Sequence, residues 1–297
     1  MNFEEAVTVQ QVCALFMEVD FMANKDKNKI KNDHTGEMLP VWLKYPEIPQ
    51  GSIGWRMGYG EAYSSEFYDW YGKLTKEEKT AYDQKYPEPV CWSNSEWNIK
   101  RHDTFWIYNW QQCVNHYSVQ SMLEEQNTGK KRDIIYFWKP KDGAYGKETL
   151  SQWYLADFYV GHQKYCCMEQ YMMSKKAQLF GDEEIEKQIM GAQSQNEIRS
   201  LGRKVKNFEE SVWNEFKSLI VMTGNYYKFA QLTKFREYLL STGDALLVEA
   251  SPYDTIWGIG MSADEAKNCD ITKWRGSNLL GFALMTVRDE LARIWKQ

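Results

Sequence analysis

CCMEQYMMSKKAQLFGD, residues 166–182, is the stretch on which the fold turns. At about 100° per residue, with Glu169 taken as zero, one continuous arc holds Met168, Leu179, Met172, Lys176, Glu169, Phe180, Met173 and Ala177. That arc covers roughly half the circumference. Gln170, Ser174, Gln178, Tyr171 and Lys175 fill the other half. The pattern predicts a helix with one buried face, with Lys175 on the wet side and with Glu169 and Lys176 near the middle of the apolar arc. Those two charges are seven residues apart, about 10.5 Å along a helix axis. A bridge between them would stretch both side chains, and an i, i+4 pair would do the job better. Unpaired buried charges cost several kcal/mol each, roughly. Either each charge meets a partner on another element, or this face lines a pocket in which both meet a ligand.

Working outward, residues 2–22 read as a helix, with Val9, Val12, Phe16 and Val19 at spacings of three and four. Pro40, Pro46 and Pro49 exclude a long helix after it. Residues 58–89 read as two short helices, the second opened by Thr75 with Glu78 three residues on, a capping box. Residues 101–125 read as another helix. Character changes at Asp133. DIIYFW (133–138) and WYLADFYV (153–160) read as strands, and residues 181–200 as a polar segment. SVWNEFKSLIVMTG (211–224) reads as a helix stopped by Gly224, and KFREYLLSTG (234–243) as one stopped by Gly243. ALLVEAS (245–251) reads as a buried strand, and residues 278–295 as the closing helix. Helices mixed with about three short strands predict an α+β fold, predominantly helical.

The 297 residues allow one elaborated domain or two. The expected division is 1–130, a helical, aromatic-rich N-terminal extension, and 131–297, a catalytic domain. Trp55, Tyr59, Trp70, Trp92, Trp97, Trp106 and Trp110 need a core to bury them, so the extension is expected to pack on the domain that follows. The net charge of −5 gives no global basic field for a nucleic acid. The local clusters Lys25–Lys31 and Lys130–Arg132 read as solvated loops. No run approaches a membrane helix, and the opening MNFEEAVTVQQ lacks the layout of a signal peptide. Six cysteines without CxxC spacing point to a reducing cytoplasm. The four histidines are scattered, so no metal is expected, and no cofactor is expected either, no cofactor-binding motif being found.

Further chemistry concentrates at residues 245–260, ALLVEASPYDTIWGIG. Glu249 sits inside the apolar run, and the loop after it presents Asp254 and Trp257. Taken alone, core packing explains Trp257 better, and a turn bonded to its own backbone explains Asp254 better. Arg203, in LGRKV, suits a phosphate or carboxylate, and Lys228 lies among aromatic residues in NYYKF. No phosphate loop, GxSxG elbow or Cys-His pair is present. Spacing therefore yields a pocket and no named reaction.

From about Asp133 to Trp295 the sequence resembles the NADAR family, also called YbiA-like. The resemblance rests on four ordered segments: LSQWYLADFYVGHQKYCCMEQYMMSKKAQLFGD, LGRKV with Trp213, VEASPYDTIWGIG, and NLLGFALMTVRDEL. LSQW departs from the family's usual LSNF, at the loop expected to contact the ligand. The resemblance implies an N-glycosidase with a YbiA-like core. Family members cleave a bond between a ribose anomeric carbon and a nitrogen, in phosphoribosylamino-pyrimidines of riboflavin synthesis or in ADP-ribose attached to guanine.

Carried over by motif position, Glu169 becomes the catalytic glutamate, Lys176 the helix lysine and Asp254 with Trp257 the Asp-Trp loop, while Trp213 and Arg203 match pocket positions. Tyr165 and Asn278, from the first and last segments, complete the expected substrate-binding set with Lys228. Glu169 would stabilise the ribosyl cation or guide water, and Asp254 would protonate the leaving nitrogen if burial raises its pKa. Lys176 would either hold phosphate or ribose hydroxyls as a cation, or attack the anomeric carbon as a neutral amine; its apolar surroundings favour the second role. Trp213 and Trp257 would stack on a base, and Arg203 and Lys228 would meet phosphate. Three functions compete: a hydrolase freeing ADP-ribose from guanine, for instance in single-stranded DNA; a hydrolase of riboflavin-pathway ribosylamines; and a non-catalytic module binding ADP-ribose or NAD. The retained Glu169, Lys176 and Asp254 count against the third, and the long extension mildly favours the first over the second, the net charge of −5 tempering that for a DNA substrate.

Overall fold

A computed structural model describes residues 37–89, 110, 113, 115–140 and 145–295. The helix expected over 2–22, the basic cluster from Lys25, and Trp92, Trp97 and Trp106 lie outside the described residues. Contacts divide the chain into two units, Met1–Gln84 and Lys85–Gln297.

The first unit is built on aromatic rings. Its helices are α1 (Val41–Lys44), α2 (Tyr59–Gly72) and α3 (Lys76–Lys85), the last ending at the boundary. Thr75 and Glu78 form the expected capping box, each side chain meeting the other residue's backbone N–H. Phe67, Trp70, Tyr71 and Tyr82 pack ring against ring. The Tyr82 hydroxyl donates to the Met38 carbonyl at 2.8 Å, tying α3 to the segment before α1.

The second unit contains the resembling segments. In order it runs α4 (Val119–Asn127), β1 (Ile134–Phe137), β2 (Phe158–Val160), β3 (Gln163–Tyr165), α5 (Met168–Leu179), α6 (Glu183–Gly191), α7 (Gln195–Gly202), α8 (Glu210–Gln231), α9 (Thr233–Ser241), β4 (Leu246–Glu249), α10 (Ala263–Ala266) and α11 (Leu279–Ile294). The fold is α+β and mostly helical. β1 and β4 pair in parallel, Ile134 opposite Leu246 and Phe137 opposite Glu249, so most of the helical body is the crossover between them. α11 covers β4, and α8 packs against both α5 and α11.

Several expectations change. Of the helix read over 101–125, residues 101–109, 111, 112 and 114 are not described; Trp110 lies in a 3-10 turn, and the described α-helix begins only at Val119. The strand read over 153–160 starts at Phe158, where it turns at Gly161 and pairs antiparallel with β3. The polar segment 181–200 contains two helices. Asp182 caps α6 and Ser194 caps α7 by accepting from backbone N–H groups, and each buries a narrow isoleucine-bearing stripe. Arg132 is not a solvated loop residue: its guanidinium donates to both Glu125 carboxylate oxygens, at 2.6 and 2.8 Å.

Helix α5 departs furthest from its pattern. Eleven of its twelve residues are buried, and the exception is Lys176. Lys175, read as wet, is fully buried, with Nζ donating to Gln178 Oε1 at 2.9 Å. The polar half is sealed because α6, α7 and α8 all pack around this helix, and its groups bond internally. Gln178 and Ser174 donate to Glu186 of α6, and Gln170 Nε2 donates to the carbonyls of Ile189 and Met190. Gly224 does not stop α8, which continues to Gln231. A Cβ there would come within 2.4 Å of Tyr171 Cδ1 and 2.7 Å of Met168 Cε, so this glycine is where α8 meets α5.

A candidate active site at the carboxyl ends of the parallel strands

β1 runs out at Phe137 into Trp138 and Lys139, and β4 runs out at Glu249 into the loop 250–261. Both exits open on a cavity of about 680 Å³, within the size range of small-molecule pockets. Ends of parallel strands collect ligand sites because the chain leaves the sheet there and its loops are free to vary. The start of α5 supplies a third wall. The Glu169 backbone N–H donates to the Gln152 carbonyl at 3.0 Å, which seats the helix beneath the loop of Ser151, Gln152 and Trp153.

Glu169 is 5% exposed and lines this cavity. Burial pushes its carboxyl up to about 7; Arg199 opposes the shift, Asp254 adds to it, and a hydrogen bond with the Trp153 side chain draws it back down. Trp153 occupies the place where the family pattern carries phenylalanine, whose ring has no polar hydrogen to offer. The departure LSQW thus gives Glu169 a bonding partner.

Lys176 lies two turns along α5 on the same wall. Its Nζ donates to the Gly202 carbonyl at 2.9 Å and sits 4.3 Å from the centre of the Phe208 ring and 5.7 Å from that of Trp213. Partial burial lowers its pKa from the ordinary lysine value.

The β4 loop is held closed by its own backbone. Asp254 Oδ1 accepts from the N–H of Ile256 at 2.9 Å and of Trp257 at 2.7 Å. Gly260 N–H donates to the Asp254 carbonyl, and Leu279 and Leu280 at the start of α11 donate to the carbonyls of Ile256 and Trp257. Arg199 and Arg203, one helical turn apart at the end of α7, place two exposed guanidiniums at the mouth. Across from them the Trp138 ring meets Tyr253 at 6.0 Å, with Lys139 Nζ 4.9 Å from the Trp138 ring centre.

The cavity therefore brings together Glu169, Lys176, Arg203, Asp254 and Trp257 of the expected residues. Trp213 stands behind Lys176, in contact with its amine. The other three do not line it. Lys228 is fully buried and donates to the carbonyls of Thr149 and Ser151 at 2.6 and 3.3 Å. Tyr165 is sealed among Phe158 and Tyr171. Asn278, in the left-handed region at φ 52°, bonds the backbone of β4. Lys228 and Asn278 instead brace the loops that do line the cavity.

Arg199, Trp138 and Tyr253 are not among the expected site residues; Gln152 and Trp153 enter the expectation only as part of the LSQW loop, and Glu249 without a role. Arg199 was open to discovery as the i−4 neighbour of Arg203 on one helix face; Trp138 as the first residue past a strand. Two buried oxygens in the lining, Gln152 Oε1 and Glu249 Oε2, have no hydrogen-bond donor among the described residues. A buried polar atom left in that state is costly, and a catalytic role is one of the reasons such atoms persist.

Residues 136–292 match the NADAR domain family. An N-glycosidase of Acanthamoeba polyphaga mimivirus is 42% identical over 161 residues, 52% of this chain and 95% of that protein. An N-glycosidase of Nostoc punctiforme is 32% identical over 163 residues, 54% of this chain and 94% of the relative. A riboflavin biosynthesis protein of Vibrio vulnificus is 29% identical over 175 residues, 59% of this chain and 41% of that longer protein.

Proposed function

This chain belongs to the NADAR domain family, and on that premise we propose that it is an N-glycosidase that removes ADP-ribose from guanine in nucleic acid. The observation carrying this reading is one cavity wall, on α5, that holds a buried carboxylate at Glu169 and a partly desolvated amine at Lys176.

Breaking an N-glycosidic bond builds positive charge on the ribose ring. Glu169, ionised and shielded from water, stabilises that charge far better than an exposed carboxylate would. Lys176 keeps one N–H on the Gly202 carbonyl and, once neutral, has a lone pair for the anomeric carbon. Its attack expels the base and gives an N-ribosyl lysine. Ring opening converts this to an imine, which water hydrolyses to free sugar and regenerated amine. Asp254 keeps the Trp257 loop closed while adding negative charge to the wall. Arg199 and Arg203 suit a diphosphate at the mouth. The aromatic pair Trp138 and Tyr253, with Lys139 beside it, lines the same cavity and suits stacked bases with a backbone phosphate.

A second reading takes a small phosphoribosylamino-pyrimidine as substrate; the name of the Vibrio vulnificus relative favours it. The deciding experiment incubates the full chain and its Glu169→Gln variant with a single-stranded oligonucleotide carrying ADP-ribosyl-guanine, and follows free ADP-ribose by mass spectrometry. Release by wild type alone is expected. Absence of release, with turnover of a phosphoribosylamino-pyrimidine, gives the second reading. Tight binding of the oligonucleotide with neither turnover leaves a binding module.

A further inference from the structure

Cleavage at nitrogen needs a proton for the departing base as well as a stabilised sugar. Three carboxyl groups border the cavity, Glu169, Asp254 and Glu249. Glu169 has to be ionised to stabilise the cation. Asp254 Oδ1 is occupied in accepting two loop amides. Glu249 differs from both: its Oε2 is sealed from solvent and accepts no hydrogen bond among the described residues, while the residue as a whole is only partly buried and borders the cavity. A buried carboxylate oxygen without a donor is costly when ionised and tolerable when it carries the proton itself.

The backbone holds Glu249 in place from two directions. Its N–H donates to Asn278 Oδ1 at 3.0 Å, and its carbonyl accepts from the Ile259 N–H at 3.0 Å. It is the last residue of β4, registered opposite Phe137 of β1, so its side chain is borne on a paired strand rather than on a loop.

We propose that Glu249 is the general acid of this site, delivering its proton to the leaving nitrogen as the ribosyl bond breaks. The inference rests on the N-glycosidase reading and names a group that reading leaves out. The C1′–N electron pair passes to the nitrogen and the Glu249 proton joins it there. After water has hydrolysed the sugar adduct, a proton from that water restores the acid. The net change is one water consumed, one sugar hydroxyl and one N–H formed.

The surrounding charges agree. Burial raises the Glu249 carboxyl most; Asp254 in the loop and Glu169 on α5 raise it further, and Arg199 on α7 pulls against them, leaving it at about 8. Lys176, Arg203 and Lys139 are the remaining charged groups of the lining. Two carboxyls facing one space separate into an ionised and a protonated member, the division of labour that acid and base roles require.

The test uses the full chain with glutamate labelled at the side-chain carboxyl carbon, the Glu249 resonance being the one missing from Glu249→Gln. Expected is a carboxyl that titrates near neutral pH or above. On the ADP-ribosyl-guanine oligonucleotide, Glu249→Gln is expected to lose on the order of 10²- to 10³-fold in kcat with unchanged thermal stability, to lose the basic limb of the pH profile, and to regain part of its activity as Glu249→Asp. A Glu249 that titrates in the ordinary carboxylate range, or a Gln variant with wild-type turnover, overturns the proposal. Wild type inert toward the oligonucleotide overturns only the choice of substrate. The same variants are then compared on a phosphoribosylamino-pyrimidine, and the titration stands regardless.

Discussion

Asn278 and Glu249 are joined side chain to backbone: Asn278 Oδ1 accepts the Glu249 N–H at 3.0 Å while Asn278 Nδ2 donates to the Leu247 carbonyl at 2.9 Å. One amide thus spans alternate backbone groups of β4 just before the chain enters the cavity. Asparagine tolerates the left-handed conformation that opens α11 better than most residues, and it supplies both a donor and an acceptor. Asn278→Ala should leave two buried groups unpaired and cost about 2–4 kcal/mol in all. Urea unfolding measures the loss. The aspartate variant, which cannot donate to Leu247, should recover only part of it; full recovery would show that the Leu247 bond contributes nothing.

Glu169 should govern the acid side of the pH profile. Its carboxyl is pushed up to about 7, chiefly by burial, and must be ionised to act. Below that pH it is protonated, so kcat/KM should rise with pH through about 7, ahead of the basic limb that loss of the Glu249 proton brings. Arg199 is the leading influence holding the value down. Arg199→Ala should therefore move the acid limb to higher pH, and a limb that stays put or moves lower would take Glu169 out of this role. Glu169→Gln should fold normally and be inactive.

Lys176 is expected to be covalent. Sodium borohydride added during turnover should leave a reduced sugar adduct on the peptide containing Lys176, detectable by mass. Lys176→Arg keeps the charge and the rings beside it but has no nucleophilic amine, so it should bind substrate and trap nothing. An arginine variant that turns over at the wild-type rate would assign Lys176 the role of a cation.

Periodicity revealed the charges of α5 but not the burial of the whole helix. The arc calculation assumes that a helix has a wet side, and α5 has none, because α6 and α7 were hidden in a stretch whose apolar residues form only a narrow stripe. Lys175 illustrates the result: expected on the wet side, it is fully buried, while Lys176 beside it lines the cavity against two aromatic rings. Gly224 shows a second limit. A glycine signals either an end or a close approach, and only the facing rings decide which. Gly224→Ala should overpack against Tyr171 and Met168 and cost about 1–3 kcal/mol, where a true helix stop would tolerate alanine at the cost of backbone strain alone. The strand ends at Phe137 and Glu249 were legible from their short apolar runs, and with them the place of the site. Which loop residues turn inward was not, since that depends on a parallel pairing between segments more than a hundred residues apart.

Lys228 was expected to meet phosphate, and its burial makes a different prediction. Burial lowers its pKa to about 7, whereas in the unfolded chain lysine titrates near 10.4, roughly. Between those values the unfolded chain binds a proton that the folded protein lacks, so this group's contribution to stability grows as pH rises across that window. Lys228→Met removes the titration and leaves the Thr149 and Ser151 carbonyls without their donor. The variant should be less stable throughout, and the gap from wild type should widen from about pH 7 to about pH 10. A gap that stays constant over this range would mean that Lys228 is charged in the fold, because both states would then hold the proton. Because Thr149 and Ser151 anchor the loop whose Gln152 carbonyl receives the Glu169 N–H, the variant should also lose turnover. That loss should appear in kcat more than in KM, as expected for a residue that positions the catalytic helix without touching the substrate.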